Sequence, residues 1–395
     1  RGASSIIPAL LSRQRLHVTS IVNAYDDGKS TGAIRRFFGM LGPSDIRKVQ
    51  ELMLPKDDPD HENYVTLFQY RFPLDCNRED ALEQLKLFLD SESMELVGVH
   101  LNNTRVREKL KSFLAEFLAG LNTIEKARQE EFDFADCSIM NCLYAGAFLA
   151  SNRNIEQATI SVDRLFQLRG KVLPTSIEDK KLVAQRENGE ILYSEAEIVE
   201  LRSNVRVERI YLLDQSLDKV TFEMLDNDEK RSYLERHHCY VGVSPGVRRA
   251  LQQADIIIYS AGTQHSSLYP TYMSAGLAES ISDNHSALKV FITNIGADYE
   301  TPSYKASDYI LGAHRYLNLS DERNYSMEEL FDVICINQSH FKDDETYVEY
   351  DEEGFHNISI QLLIDVFESE DNPGKHNGTK VVKTTLDLYE DKHFY

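Results

Sequence analysis

His17-Val-Thr-Ser-Ile-Val-Asn-Ala-Tyr-Asp26-Asp27-Gly28-Lys29-Ser30-Thr31-Gly32-Ala-Ile-Arg35-Arg36, running on to Ser44-Asp45-Ile46-Arg47, is the stretch whose reading decides the fold. Val18, Ile21 and Val22 predict a strand that runs straight into paired carboxylates, Asp26 and Asp27. A loop of small residues follows, and then an arginine-bearing helix. In open α/β sheets, ligands bind just beyond the carboxyl ends of strands. Acidic residues there suit a metal or ligand hydroxyls, small residues admit close backbone approach, and a helix N-terminus suits phosphate. The ordinary reading of Asp26 and Asp27 is a turn with one aspartate as helix N-cap, which accounts for one carboxylate but not both.

Working outward, Ser4 to Leu11 reads as a helix, Leu16 to Ala24 as the strand, and residues 33–54 as helical around a turn at Gly42-Pro43. Leu54-Pro55-Lys56-Asp57-Asp58-Pro59-Asp60 is a polar loop that interrupts the α/β rhythm. Beyond it, Ala81, Leu82, Leu85, Phe88 and Leu89 form one helical stripe, and Val106, Leu110, Phe113, Leu114, Phe117, Leu118 and Leu121 form another. A helical insertion over about 55–130 is expected. Short strands are expected near Lys171–Leu173, Glu190–Tyr193 and Val207–Leu213, with Asn188-Gly189 as a hairpin turn and antiparallel pairing in this part. Alternation resumes with a helix at Val247–Gln253, a strand at Asp255–Tyr259, a helix at Tyr272–Ser282 and a strand at Lys289–Thr293. The expected division is an α/β domain over 1–338 and an acidic C-terminal extension over 339–395, with Ser369-Glu370-Asp371-Asn372-Pro373-Gly374 as a linker.

With 42% apolar residues in 395, the chain can bury a substantial core. A net charge of −21 argues against nucleic-acid binding and against an anionic membrane surface. Five scattered cysteines without a Cys-x-x-Cys pair favour reduced thiols and a cytoplasmic location over a disulfide framework or a zinc site. No apolar run is long enough to span a bilayer. His237-His238 with Cys239 lacks a second ligand cluster, and neither Gly-x-Ser-x-Gly nor a Walker lysine motif is present.

Three later segments carry chemistry. Asp136-Cys137-Ser138-Ile139-Met140-Asn141 opens a small-residue helix. Ala254-Asp255-Ile256-Ile257-Ile258-Tyr259-Ser260-Ala261-Gly262-Thr263 runs a strand into a turn whose N–H groups suit phosphate, then on to Ser267-Leu268-Tyr269-Pro270. Phe291-Ile292-Thr293-Asn294 and Ala306-Ser307-Asp308 follow. Asn141 and Asn294 are amides suited either to reading a base or sugar or to capping a helix. Arg35, Arg36 and Arg47 are cations beside the acidic loop, and an arginine fork suits phosphate.

In this order, these segments resemble the 2-phospho-L-lactate transferase superfamily, and especially its gluconeogenesis-factor branch. There a strand ends in Asp-Asp-Gly-Gly-Ser-Ser-Gly, and Gly-Asp-Ile-Arg follows. The chain departs from that pattern at Lys29, where the branch usually has glycine, and at Ser260-Ala261-Gly262-Thr263, where it has Gly-Pro-Gly-Ser. Arg1-Gly2-Ala3-Ser4-Ser5 reads as the inside of a loop, because family members have a strand and a glycine run just before it. The resemblance makes Arg47 the best of the three arginines.

The resulting expectation is a three-layer, Rossmann-like α/β protein with a mainly parallel sheet and one deep site at the sheet's carboxyl edge. The resemblance implies a phosphorylated or nucleotide-linked ligand of UDP-sugar type, bound by a metabolic regulator. Its ligand residues would be Gly2, Gly28, Lys29, Ser30, Thr31, Arg47, Asn141, Gly262, Thr263 and Asn294. The competing expectation is a Mg²⁺-dependent transferase moving a phospholactyl-type group, with Asp26 and Asp27 as catalytic and metal-holding residues. An NAD-dependent oxidoreductase is the generic alternative, and the reading admits a homodimer.

Overall fold

The computed structural model describes residues 3–90, 92–338 and 347–394. Gly2 and the acidic run Lys342-Asp343-Asp344-Glu345 lie outside the described residues. The protein is α/β, and its chain divides into two compact units, His17–Asp179 and the remainder, Arg1–Leu16 with Lys180–Tyr395.

In the His17–Asp179 unit, strand Val18–Val22 pairs in parallel with Gly170–Pro174, in the register Val18↔Gly170 to Val22↔Pro174. The sequence pattern groups this second strand with antiparallel neighbours. Its parallel pairing reflects its approach from helix Ile155–Leu165, which returns the chain to the same strand end, as a crossover requires. Helices Lys29–Phe38 and Ser44–Leu52 follow the first strand. The helical segment beyond the 54–60 loop comprises His61–Gln69, Arg78–Leu89 and Thr104–Arg128, with a short hairpin at residues 95–100.

The apolar stripe read from the sequence is the face the long helix buries, through Val106, Leu110, Phe113, Leu114, Phe117 and Leu121. It packs on the fully apolar helix Ile139–Ala150. Closeness there depends on Gly146, where a Cβ would sit 1.8 Å from the Phe113 carbonyl oxygen. Phe37, Phe38, Phe117, Phe132 and Phe134 form an edge-to-face and tilted aromatic cluster with centroids 5.0–6.4 Å apart. The aromatic stripe is therefore core.

The other unit holds a four-stranded parallel sheet in the order Gln361–Asp365, Val333–Asn337, Leu288–Ile292, Ile256–Tyr259. Every residue of Leu288–Ile292 is buried, as the continuous apolar run of a central parallel strand requires. Val290, Ile292, Val333 and Cys335 pack with Ile6, Val381 and Val382. Residues 361–394, expected as part of an acidic extension, instead supply an edge strand and helix Gly378–Phe394, which packs on helix Ala3–Leu11. Gly378 permits that packing, since a Cβ there would meet the Ser5 carbonyl oxygen at 2.0 Å. The segment expected as a linker is an antiparallel hairpin, Glu368–Ser369 with Asn372–His376. The antiparallel expectation holds for Lys181–Arg186, which lies between Ile191–Leu192 and Val207–Leu213. Among the described residues, no helix is long and apolar enough to cross a membrane.

Candidate functional site

Strand Val18–Val22 ends in Asn23, Ala24 and Tyr25, all buried, and the chain then turns outward at Asp26, Asp27 and Gly28, which are half-buried. Asp26 Oδ1 accepts from the Gly28 N–H at 3.0 Å, closing an Asx turn. Two glycines hold this turn against the rest of the unit. A Cβ on Gly32 would meet the Asp27 carbonyl oxygen at 2.1 Å, and one on Gly42 would meet that of Asp26 at 2.3 Å. Arg35 supplies the third restraint. Its Nη1 donates to the carbonyls of Tyr25 at 2.5 Å and Asp26 at 3.2 Å, while Nη2 pairs with Asp179 at 2.6 Å.

Arg35 is therefore a buried brace for the loop backbone, which corrects its reading as a phosphate contact. Its guanidinium is spent on carbonyls that would otherwise point into the protein unpaired. Arg36 is exposed. Arg47 is buried and donates to the Phe68 carbonyl, and burial pushes its pKa down, with nearby Arg71 acting in the same direction.

Lys29 begins the helix with φ +44, in the left-handed region that favours glycine. This accounts physically for the glycine that the resembling branch places there. Lys29→Gly is expected to raise stability by up to about 1 kcal/mol, read as a higher urea midpoint. A simultaneous loss of UDP-glucose affinity would identify the ammonium as a ligand contact, and unchanged affinity would make it a surface charge.

The hydroxyls of Ser30 and Thr31 accept from Asn141 Nδ2 at 3.3 and 3.4 Å. Asn141 is fully buried, and its Oδ1 makes no hydrogen bond within the protein; the same holds for Ser138 Oγ. Arg71 completes the group. Its Nε pairs with Asp136 at 2.6 Å, and its Nη2 lies 3.3 Å from Ser30 Oγ. Hydrogen bonding to Arg71 holds the Asp136 carboxyl below its ordinary range, and Lys29 contributes in the same direction. Arg71 is missed from the sequence, because Tyr70-Arg71-Phe72-Pro73 carries no spacing signal and its partner lies 65 positions away. Asp27, Gly28, Lys29, Ser30, Thr31 and Asn141 thus belong to one neighbourhood of this unit, with Arg71 beside them.

Mg²⁺ is commonly held by one or two carboxylates together with ligand phosphates rather than by an all-protein cage. The adjacent Asp26 and Asp27 carboxylates fit that donor set. Among the described residues, no group of three or more His, Cys, Asp or Glu is arranged to hold a metal ion by itself.

In the other unit, Gly262 and Thr263 follow strand Ile256–Tyr259 and precede a single π-helical turn, Gln264–Leu268. Asn294, just past strand Leu288–Ile292, clamps this turn reciprocally. Its Oδ1 accepts from Gly262 N at 3.0 Å, and its Nδ2 donates to Gly262 O at 2.9 Å. The N–H groups of His265 and Ser266 both donate to Glu300 Oε2 at 2.9 Å. Ser266 Oγ lies 2.5 Å from Glu300 Oε1 and 3.0 Å from Thr263 Oγ1, which in turn lies 2.9 Å from Ser267 Oγ. Burial pushes the Glu300 carboxyl up to about 7, with Asp298 adding to the rise. Asp308 caps helix Ala306–Leu317 through the Lys305 N–H at 2.9 Å and pairs with Arg206 at 3.2 Å.

Parallel strands running into an acidic loop in one unit and a small-residue turn in the other define a mixed α/β protein of the ligand-binding kind. The chain belongs to the 2-phospho-L-lactate transferase CofD family, whose model matches residues 1–383. It is 23% identical over 398 residues to a gluconeogenesis factor from Listeria innocua, covering 99% of this chain and 95% of that protein. It is 22% identical over 392 residues to the gluconeogenesis factor of Bacillus subtilis, covering 98% and 95%. A crystal structure of a UPF0052 family member from Bacillus halodurans superposes with a TM-score of 0.66 at 20% identity, covering 98% of this chain and 96% of that one. That likeness establishes the fold.

Proposed function

We propose that the protein binds a phosphorylated metabolite of UDP-sugar type and acts as a metabolic regulator of the gluconeogenesis-factor kind. The observation that carries this reading is the Asp26–Thr31 loop, braced by Gly32, Gly42 and Arg35 beside Asn141 and Arg71. Carboxylates suit sugar hydroxyls. The Arg71 fork and the Lys29 ammonium supply local positive charge in a chain whose net charge is −21. The Asn141 carbonyl and Ser138 hydroxyl are buried polar groups that a ligand or an ordered water would satisfy. Family membership and the names of the curated relatives support the same direction.

The test is thermal unfolding against a panel of UDP, UDP-glucose, UDP-N-acetylglucosamine and NAD, with and without Mg²⁺. A UDP-sugar at a hundredfold excess over its dissociation constant is expected to add about 2.7 kcal/mol of stability. A shift with NAD alone would overturn the reading in favour of an oxidoreductase.

A second reading rests on the Asp26-Asp27 pair as a Mg²⁺ donor set, in a transferase moving a phospholactyl-type group from a nucleoside diphosphate to an alcohol. The ion, when bound, would neutralise charge on the transferred phosphoryl group. The carboxylates would hold that ion, while Arg71 and Lys29 would orient the anionic substrate. Turnover of such a donor by the wild type, dependent on Mg²⁺, would favour this reading over regulation.

A further inference from the structure

The hydrogen bonds around Ser266 do not balance if Glu300 is ionised and Thr263 donates to Ser267. Ser266 Oγ approaches both Glu300 Oε1 at 2.5 Å and Thr263 Oγ1 at 3.0 Å, yet a hydroxyl has one proton to give. With Thr263 donating to Ser267 Oγ at 2.9 Å, the Ser266 proton must go to Thr263. The remaining short contact then needs a proton on Glu300. A neutral carboxyl satisfies every link, from Glu300 to Ser266 to Thr263 to Ser267, while its other oxygen accepts the N–H groups of His265 and Ser266.

We propose that Glu300 carries a proton at neutral pH and is a positioning residue that sets the direction of this hydroxyl relay. When Glu300 is protonated, the Ser267 O–H is left to donate outward. When Glu300 ionises, the relay reverses, Ser267 donates inward to Thr263, and only its lone pairs face outward. The outward donor suits the phosphate of a ligand, and the outward lone pair repels it. This consequence rests on the ligand reading above.

The surroundings of Glu300 agree with the proposal. It is 4% exposed. Asp298, two residues away, repels its charge and lifts its pKa further than burial alone does. His265, whose N–H it accepts, has a side chain that burial holds neutral, with its pKa pushed down to about 3, so it supplies no cation. Arg186 and Arg315 act on that same imidazole from a distance and also keep it neutral. Helix Glu195–Glu200 packs on the 264–268 turn and brings the buried Glu195 carboxyl, another acid, to this side. Tyr309 bonds Thr301 at 3.0 Å, and Tyr304 Oη lies 3.4 Å from His265 Nε2; both phenols are held neutral by burial.

The test has two arms on the full chain. In the first, a carboxyl ¹³C NMR titration, with Glu300 assigned by its loss in Glu300→Gln, is expected to give a midpoint near neutral pH. Ser266→Ala is expected to move that midpoint upward, because the Ser266 hydrogen bonds favour the ionised form. A midpoint in the ordinary carboxylate range, about 4, overturns the proposal.

In the second, UDP-glucose is the probe, because its doubly esterified diphosphate keeps one charge state between pH 6 and 8. Wild-type affinity is expected to fall about tenfold across that range and to stay flat in Glu300→Gln, which preserves the neutral hydrogen-bond pattern. Equal slopes in both proteins overturn the proposal. A wild type that binds no UDP-glucose at either pH refutes the ligand reading instead, and the carboxyl titration then decides Glu300 alone.

Discussion

Asp26→Asn and Asp27→Asn are expected to abolish the thermal shift produced by UDP-glucose while leaving the unliganded unfolding midpoint nearly unchanged. Each swap keeps the shape of the side chain and removes one negative charge. Both residues are half-buried at the mouth of a turn, so packing changes little. A charge-assisted hydrogen bond to a ligand hydroxyl is worth about 1.5–3 kcal/mol, which corresponds to roughly a tenfold to hundredfold loss of affinity. In a binding regulator that loss is the same with and without Mg²⁺, and no phosphorylated donor is turned over by the wild type. In a transferase the swaps instead remove Mg²⁺-dependent turnover, because the ion loses its protein ligands. Swaps that change neither binding nor turnover would reduce the two carboxylates to turn and cap residues, and the proposed function would lose its main support.

Gly32→Ala is expected to damage both stability and binding. The added Cβ would stand 2.1 Å from the Asp27 carbonyl oxygen, and that neighbour is backbone, so it has no rotamer into which to retreat. Overpacking of this kind costs about 1–3 kcal/mol, and relaxation would push the Asp26-Asp27 turn away from Ser30 and Thr31. Equilibrium urea unfolding and calorimetric titration with UDP-glucose check the two effects separately. Gly39→Ala is the control. Gly39 has φ +60, and a Cβ there would meet nothing within 4 Å. Alanine at that position costs about 1 kcal/mol of backbone strain and leaves binding intact. If Gly32→Ala behaves like Gly39→Ala, the loop is not held as tightly as its contacts indicate.

The chemistry of this chain was legible where it is local. Strand Val18–Val22, the turn at Asp26-Asp27, the helices on either side of Gly42-Pro43 and the long apolar stripe from Val106 to Leu121 all follow from residue type and spacing within a few turns of chain. The order of the motifs carried the family, since each is a short stretch whose residues act together.

What tertiary structure alone decided involves partners far apart in sequence. The parallel pairing of Gly170–Pro174 with Val18–Val22 and the edge strand at Gln361–Asp365 both join segments that composition describes as something else. Arg35 and Arg71 look equivalent as sequence, yet one is braced against Tyr25, Asp26 and Asp179 and the other reaches Asp136 and Ser30. Glu300 is one acid among 64 in the chain until burial and its three short contacts with His265 and Ser266 set it apart. The physical reason is the same in each case. Backbone propensity and periodicity are short-range and can be read along the chain, whereas a charge is assigned its role by desolvation and by the groups brought to it, which only the folded chain specifies.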